Sequence, residues 1–404
     1  MNIIESGIDF TPLHERMASY VDQGILSCVN TLIMRGTEVL DFHMHGFMDL
    51  ETSEPLVEDA IFRMYSNTKL VTSVALMQLY ERGLFDIEDP LSNILPDFAD
   101  MRVLRADASS AADADPASHP ILMRHILSHS AGFSYGFIEP ESVIDRAYAE
   151  AGINLFGEFD PTLEELCHML AELPLAYEPG TSWRYSLATD VCARCVEVLS
   201  GLPFDAYLDA HIFQPLEMVD TAFHVSEDKA HRFVTQYAPI DLLDPMKPGL
   251  VKHDDARNGQ YNKPRRYLNG GGGLVSTVGD YANFVRMLIS GGIWNGALIL
   301  KPETLRLMRT NQLAHGVGVS FPMWDMPDTT FGLGFALKER ISDDEPLGML
   351  HEYHWGGMAG THSWMAPTAG ISGICMTQRM PGFWHPFSHD FKRMAYELTA
   401  GGGR

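Results

Sequence analysis

The sequence predicts a mixed α/β protein in which one antiparallel sheet is built from both chain ends, flanked by helices, with a mainly helical lobe inserted. Three observations carry this. β-prone runs lie near the N-terminus, at Val29 to Met34 and Val39 to His45. They return from Leu268 onward, and the 121–200 segment between them is mostly helical in its apolar spacing. A chain of 404 residues, 46% hydrophobic, can bury a large core in two packed lobes. The expected division is an α/β lobe from 1–85 and 205–404, and a mainly helical lobe from 86–204.

The first two strands are joined by Arg35-Gly36-Thr37-Glu38, a hairpin turn. A helix is expected from Ser66 to about Arg82, with Gly83 as its C-terminal cap. Leu70, Val71, Val74, Ala75, Leu76, Met77 and Leu79 make it apolar nearly all round, so it should be buried. Asp89-Pro90, Leu95-Pro96 and the stretch from Ala106 to Ser118 read as breaks and a flexible loop. Helical patterns follow at Leu122 to Leu127, Leu163 to Leu173, and Thr189 to Ser200 before Gly201. Strands are expected at Gly273 to Ser276, Phe331 to Phe335, Thr361 to Met365 and Gly373 to Thr377, and a last helix from Ser388 to Leu398.

Composition excludes some functions. A net charge of −24 repels phosphate backbones and anionic lipid, so neither nucleic acid nor a membrane surface is an expected partner. No stretch approaches the roughly 20 apolar residues of a membrane span. Met1 to Ser6 lack the pattern of a signal peptide, which points to the cytoplasm. The five scattered cysteines fit reduced thiols. Cys192-Ala-Arg-Cys195 lies in an apolar helical pattern and reads as buried cysteines.

The chemistry centres on Ser66-Asn67-Thr68-Lys69. Residues three apart share a helical face, so the lysine amine can reach the serine hydroxyl. A serine hydroxyl needs such a base to become a nucleophile. A lysine opening a buried helix also needs a reason to be there. The plainer reading makes Ser66 a helix cap. Tyr185, in the turn Glu178 to Leu187, is the best candidate for relaying a proton to a leaving group. Trp355-Gly356-Gly357-Met358 lets backbone approach a substrate closely, and the Met358 and Ser66 amides could together bind an oxyanion.

This order of motifs resembles the serine β-lactamase and penicillin-binding-protein superfamily. Gln78 to Gly83, Asp89 to Pro96, His125 to Phe133, Glu178-Pro-Gly180 and Gly270 to Thr277 match its connecting signatures. Within it the chain is most similar to the family VIII, class C-like carboxylesterases and related acyltransferases. The resemblance implies a β-lactamase-like fold with Ser66 as nucleophile, Lys69 as base, Tyr185 as proton relay, and the Ser66 and Met358 amides as oxyanion hole. It implies no metal and no organic cofactor. Leu187 stands where lactamases usually carry an asparagine, and Trp355-Gly356-Gly357 replaces their Lys-Thr-Gly. Groups that would hold a lactam carboxylate and side-chain amide are thus missing, which favours ester chemistry. The expectation is a carboxylic ester hydrolase acting on a small-molecule ester with a small or apolar acyl group, in which Lys69 or the Tyr185 phenolate takes the Ser66 proton. Acyl transfer to an alcohol, weak β-lactamase or D-peptidase activity, and a non-catalytic binding protein are the alternatives. Tyr135, Trp183, His354, Trp355, Gly356, Gly357 and the loop Phe321 to Trp324 are expected at the substrate pocket.

Three features are set aside. Gly132-Phe-Ser134-Tyr-Gly136 has the spacing of a nucleophile elbow but lacks the strand before and helix after it. His43 and His45 share a strand face but have no third ligand at a telling spacing. Gly270 to Gly273 lacks the ending of a phosphate loop and reads as close strand packing.

Overall fold

The computed structural model describes residues 2–322, 324–342, 345–383 and 385–400. Helix α1 (Thr11–Asp22) precedes a hairpin of β1 (Cys28–Arg35) and β2 (Glu38–Asp49), then short strands β3 (Glu54–Pro55) and β4 (Ile61–Arg63). Helix α2 spans Thr68–Glu81. The middle of the chain supplies α3 (Met123–Leu127), α4 (Val143–Glu150), α5 (Leu163–Ala171), α6 (Ala188–Ser200) and α7 (Phe204–Leu208). Strand β5 (Val275–Thr277) and helices α8 (Val278–Ile289) and α9 (Pro302–Met308) follow. The chain then runs through β6 (Thr329–Phe331), β7 (Ala336–Lys338), β8 (Tyr353–Gly357), β9 (Thr361–Ala366), β10 (Ile371–Met376) and α10 (Pro386–Ala400).

Eight strands form one sheet in the order β6-β7-β8-β9-β10-β1-β2-β3. Every neighbouring pair is antiparallel. The chain ends meet at β1 and β10, with Asn30 opposite Met376 and Arg35 opposite Ile371. Strand alternation gives the sheet two buried faces. Val29, Ile33, Trp364, Ile371 and Cys375 pack with Leu13, Met17, Phe391 and Tyr396 from α1 and α10. Leu32, Met365, Ile374 and Met376 face the main core with α2 and α8. Every residue of α2 from Thr68 to Leu79 is buried, as its all-round apolar pattern requires.

The expected strand Phe331 to Phe335 is two strands with a turn at Gly332 to Gly334. A side chain at 332 would sit 2.0 Å from the Met308 carbonyl, and Gly334 has φ +95°. Strand β5 pairs with β4 outside the large sheet. The expected loop from Ala106 to Ser118 contributes a strand, Ala114–Pro116, paired with Arg102–Leu104. Among the described residues, no helix is long and apolar enough to cross a membrane.

Candidate active site

Ser66 sits in a single 3-10 turn, Tyr65–Asn67, between β4 and α2. Tyr65 has φ +46°, a left-handed conformation that a bulky side chain adopts only when its surroundings enforce it. The enforcement comes from distant segments. The Met64 amide donates to the Leu274 carbonyl at 2.8 Å, and the Thr361 hydroxyl donates to the Met64 carbonyl at 2.8 Å. Asn67 is fully buried; its Nδ2 donates to the Thr361 carbonyl at 3.0 Å and its Oδ1 accepts from Ser363 at 2.9 Å. A Cβ at Gly357 would lie 2.2 Å from the Met64 carbonyl, so this β8 position must be glycine. The cap reading of Ser66 does not hold: Asn67 occupies the cap of α2, and its side chain makes no cap bond.

Lys69 is buried and directs Nζ at three oxygens. It donates to Ser66 Oγ at 3.2 Å, to the Tyr135 hydroxyl at 2.6 Å and to the Gly271 carbonyl at 2.5 Å. These use all three donors of an ammonium. A neutral amine has a lone pair to spare, and Ser66 is the partner whose proton it can take.

Two tyrosines stand beside Lys69. Tyr135, expected as a pocket wall, is the phenol bonded to Lys69. Burial, with Tyr185 and Asp190 beside it, holds the Tyr135 hydroxyl well above the usual phenol range, so it stays a phenol. Its ring packs against the Tyr185 ring at a centroid distance of 5.1 Å. Tyr185 lays its ring 4.7 Å from Lys69 Nζ, and its oxygen accepts from Trp355 Nε1 at 3.1 Å. The chain of contacts is therefore Ser66, Lys69, Tyr135, Tyr185, Trp355. His129 packs on the Tyr185 ring; burial and then Lys69 push its imidazole well below the usual range, leaving it neutral.

Sequence reasoning missed Asp190 and Gly271. Asp190, in the first turn of α6, is fully buried; its Oδ1 accepts from the Tyr267 hydroxyl at 2.9 Å and the Gly271 amide at 3.3 Å. Burial pushes its carboxyl up to about 6, against the opposing pull of Lys69 and its donors. An acid in the first helical turn is common and marks no site, so the sequence held no distinguishing signal.

A cavity of about 300 Å³ opens over Ser66. Ser66, Tyr135, Tyr185 and Met358 line it, with Phe137, Phe156, Phe159 and Phe223. Met358 follows the last residue of β8. Arg265 on the same wall is paired with Asp160 at 3.3 Å and with the Phe159 carbonyl at 2.6 Å.

The other expected pocket residues lie elsewhere. His354 and Gly356 face away from Ser66 into a second cavity of about 390 Å³ below α10. Alternate residues of β8 point to opposite faces, so 355 and 357 take the Ser66 side and 354 and 356 the other. Gly357 is packed under the Ser66 turn. Trp355 and Trp183 are buried behind Tyr185, at ring-centroid distances of 5.3 and 6.2 Å, and brace it without lining the first cavity. Phe321 packs edge-on to Tyr185 at 5.5 Å and stacks on Trp324 at 4.3 Å; Met323 of that loop lies outside the described residues. Ser134 is fully buried, bonded to Asp145 and Arg184, and lines neither of these cavities.

Comparison with known proteins agrees with this fold. The family model described as Beta-lactamase matches residues 13–393. Protein Rv1367c of Mycobacterium tuberculosis is 32% identical over 368 residues, 89% of this chain and 88% of that protein. Esterase EstB of Burkholderia gladioli is 29% identical over 390 residues, 92% of this chain and 91% of that protein. Among solved structures, EstCE1, described as a hydrolase with promiscuous acyltransferase activity, superposes with a TM-score of 0.79 at 25% identity. That match covers 95% of this chain and 97% of EstCE1. With a family match spanning nearly the whole chain and this fold beneath it, the chain belongs to the Beta-lactamase family.

Proposed function

We propose that this protein is a carboxylic ester hydrolase working through an acyl-enzyme on Ser66. The observation that carries it is the 3.2 Å contact of Lys69 Nζ with Ser66 Oγ at the floor of an aromatic-walled cavity. Neutral Lys69 takes the Ser66 proton as Oγ bonds to the ester carbonyl carbon. The negative charge on the carbonyl oxygen rests on the Ser66 and Met358 amides, whose residues line the same cavity. As the C–O bond breaks, Tyr185 protonates the leaving alkoxide and is reprotonated through Tyr135 from Lys69. Water then attacks the acyl-enzyme by the reverse proton route.

The cavity's cation, Arg265, is already paired, and a tryptophan stands at 355, which supports an uncharged substrate over a lactam carboxylate. Similarity to an esterase supports the same reading. Acyl transfer to an alcohol is the second reading. The likeness to EstCE1 favours it, as do four phenylalanines on the cavity wall that would hold an apolar acceptor and thin out water. The two-lobe division at 86–204 is supported by the cavity, which draws Tyr135, Phe137, Phe156 and Tyr185 from that range and Ser66, Phe223 and Met358 from the remainder. Five buried free cysteines support a reducing, cytoplasmic location.

The test pairs Ser66→Ala with Ser134→Ala on p-nitrophenyl butyrate. Ser66→Ala is expected to lose kcat by at least about 10⁴-fold, while Ser134→Ala keeps kcat/KM within a few-fold. Loss confined to Ser134→Ala overturns the assignment. Turnover of a chromogenic cephalosporin at rates matching the ester overturns the ester preference.

A further inference from the structure

We propose that Asp190 is a positioning residue that supplies the counter-charge of Lys69 and so sets the pH at which that amine becomes a base. The inference rests on Lys69 acting as base, as above. The geometry converges on one backbone point. A carbon placed on the Gly271 α-carbon would lie 2.8 Å from Asp190 Oδ2, 3.0 Å from the Tyr135 hydroxyl and 3.1 Å from Lys69 Nζ. The carboxylate oxygen and the amine therefore face each other across Gly271 within about 6 Å, the range over which an opposite charge holds an amine protonated.

Oδ2 is buried and has no hydrogen-bond partner among the described residues, whereas Oδ1 accepts two. A buried carboxylate oxygen left unbonded is costly unless a charge compensates it. Lys69 is that charge. The other titratable groups facing the pair carry none at neutral pH. Burial raises the Tyr135 and Tyr267 hydroxyls and the Cys167 and Cys192 thiols, and lowers the His129 imidazole. Tyr185 presents its ring to the amine. Gly271 is what lets the pair see each other: its carbonyl accepts from Lys69, its amide donates to Asp190, and the missing side chain leaves the space between them open.

Asp190→Asn tests this, because asparagine keeps an acceptor for Tyr267 and Gly271 and removes only the charge. Without its counter-charge the ammonium gives up its proton at lower pH. The acid limb of the kcat/KM–pH profile on p-nitrophenyl butyrate is expected to move down by at least about one unit, with a lower plateau kcat because the base is weaker. Asp190→Glu should return the limb toward its original place. A limb within about 0.2 units of the original in folded Asp190→Asn protein overturns the proposal. If that variant does not fold, Tyr267→Phe substitutes for it. Losing one donor raises the Asp190 carboxyl and should move the limb down by a smaller amount; an unmoved limb there overturns the proposal equally. Ser66→Ala in the same assay separates the two claims. Retained turnover there refutes the site itself, whereas its loss with an unmoved limb in Asp190→Asn refutes only the role of Asp190.

Discussion

Gly271→Ala is the sharpest perturbation the structure offers. The added carbon would meet three side-chain atoms at 2.8, 3.0 and 3.1 Å. Carbon prefers roughly 3.5 Å or more from such neighbours. Each must therefore retreat by about half an ångström. All three are ends of side chains, so the backbone need not move and the stability loss should stay near or below the roughly 1–3 kcal/mol of ordinary overpacking. Catalysis is less forgiving. Retreat of Nζ from the added carbon disturbs its 3.2 Å contact with Ser66, which has only about 0.3 Å to spare before the limit of a hydrogen bond. A misplacement of about 1 Å costs about 10²-fold in rate, or roughly 2.7 kcal/mol of transition-state stabilisation, and half of that shift should cost about tenfold. The assay is kcat/KM on p-nitrophenyl butyrate beside a urea titration of the same preparation. The expected result is a loss of about tenfold or more with the midpoint nearly unchanged. Gly271→Ala protein within twofold of the original kcat/KM would show that the amine has slack, and the convergence at Gly271 would carry no catalytic weight.

Two further outcomes follow from the braces around the site. Trp355→Phe removes the N–H that holds the Tyr185 oxygen, and should lower kcat about tenfold, the value of one neutral hydrogen bond of roughly 1–1.5 kcal/mol. KM should change little, since the indole does not line the first cavity; an unchanged kcat refutes the brace. Glu352, fully buried, accepts from Lys392 at 2.5 Å and Tyr396 at 2.7 Å. Burial raises its carboxyl, but Lys392 and His354 outweigh it and bring it down to about 2 from 4.5. A depressed carboxyl stabilises the fold above 4.5 and loses that stabilisation as pH falls through 2. Glu352→Gln should thus cost about 3 kcal/mol at pH 7 by urea unfolding. The gap should close between pH 4.5 and 2, and a gap that persists at pH 2 refutes the assignment.

Much of the frame was legible because it depends on local pattern. The hairpin around Gly36, the buried helix after Ser66 and the strands at Thr361 and Gly373 follow from periodicity and turn chemistry. So does the meeting of both chain ends in one sheet. The site was legible where its chemistry needs a fixed spacing, as in Ser66 and Lys69. It was obscured where geometry is set by packing. Nothing in Phe-Ser-Tyr135-Gly marks Tyr135 as the phenol that Lys69 touches; residues 66 apart in sequence meet only because α2 and the loop after α3 pack together. Trp355-Gly356-Gly357 was found as a motif, but which side each residue faces is fixed by strand register. A glycine needed for the space it leaves, such as Gly271, looks in sequence like any glycine in a run of four.

The turn that carries Ser66 is held almost wholly by partners more than 200 residues later: Leu274, Tyr281, Thr361 and Ser363. A chain emerging from the ribosome thus makes its nucleophile early and its clamps last. The hydroxyl has no defined geometry until β9 has joined the sheet. Long-range closure of this kind is slow relative to helix formation. Turnover should accordingly lag the return of helical signal on refolding. In unfolding it should vanish with the first fraying of the C-terminal strands, well before α2 melts, which makes the enzyme's own rate a probe of the last step of its assembly.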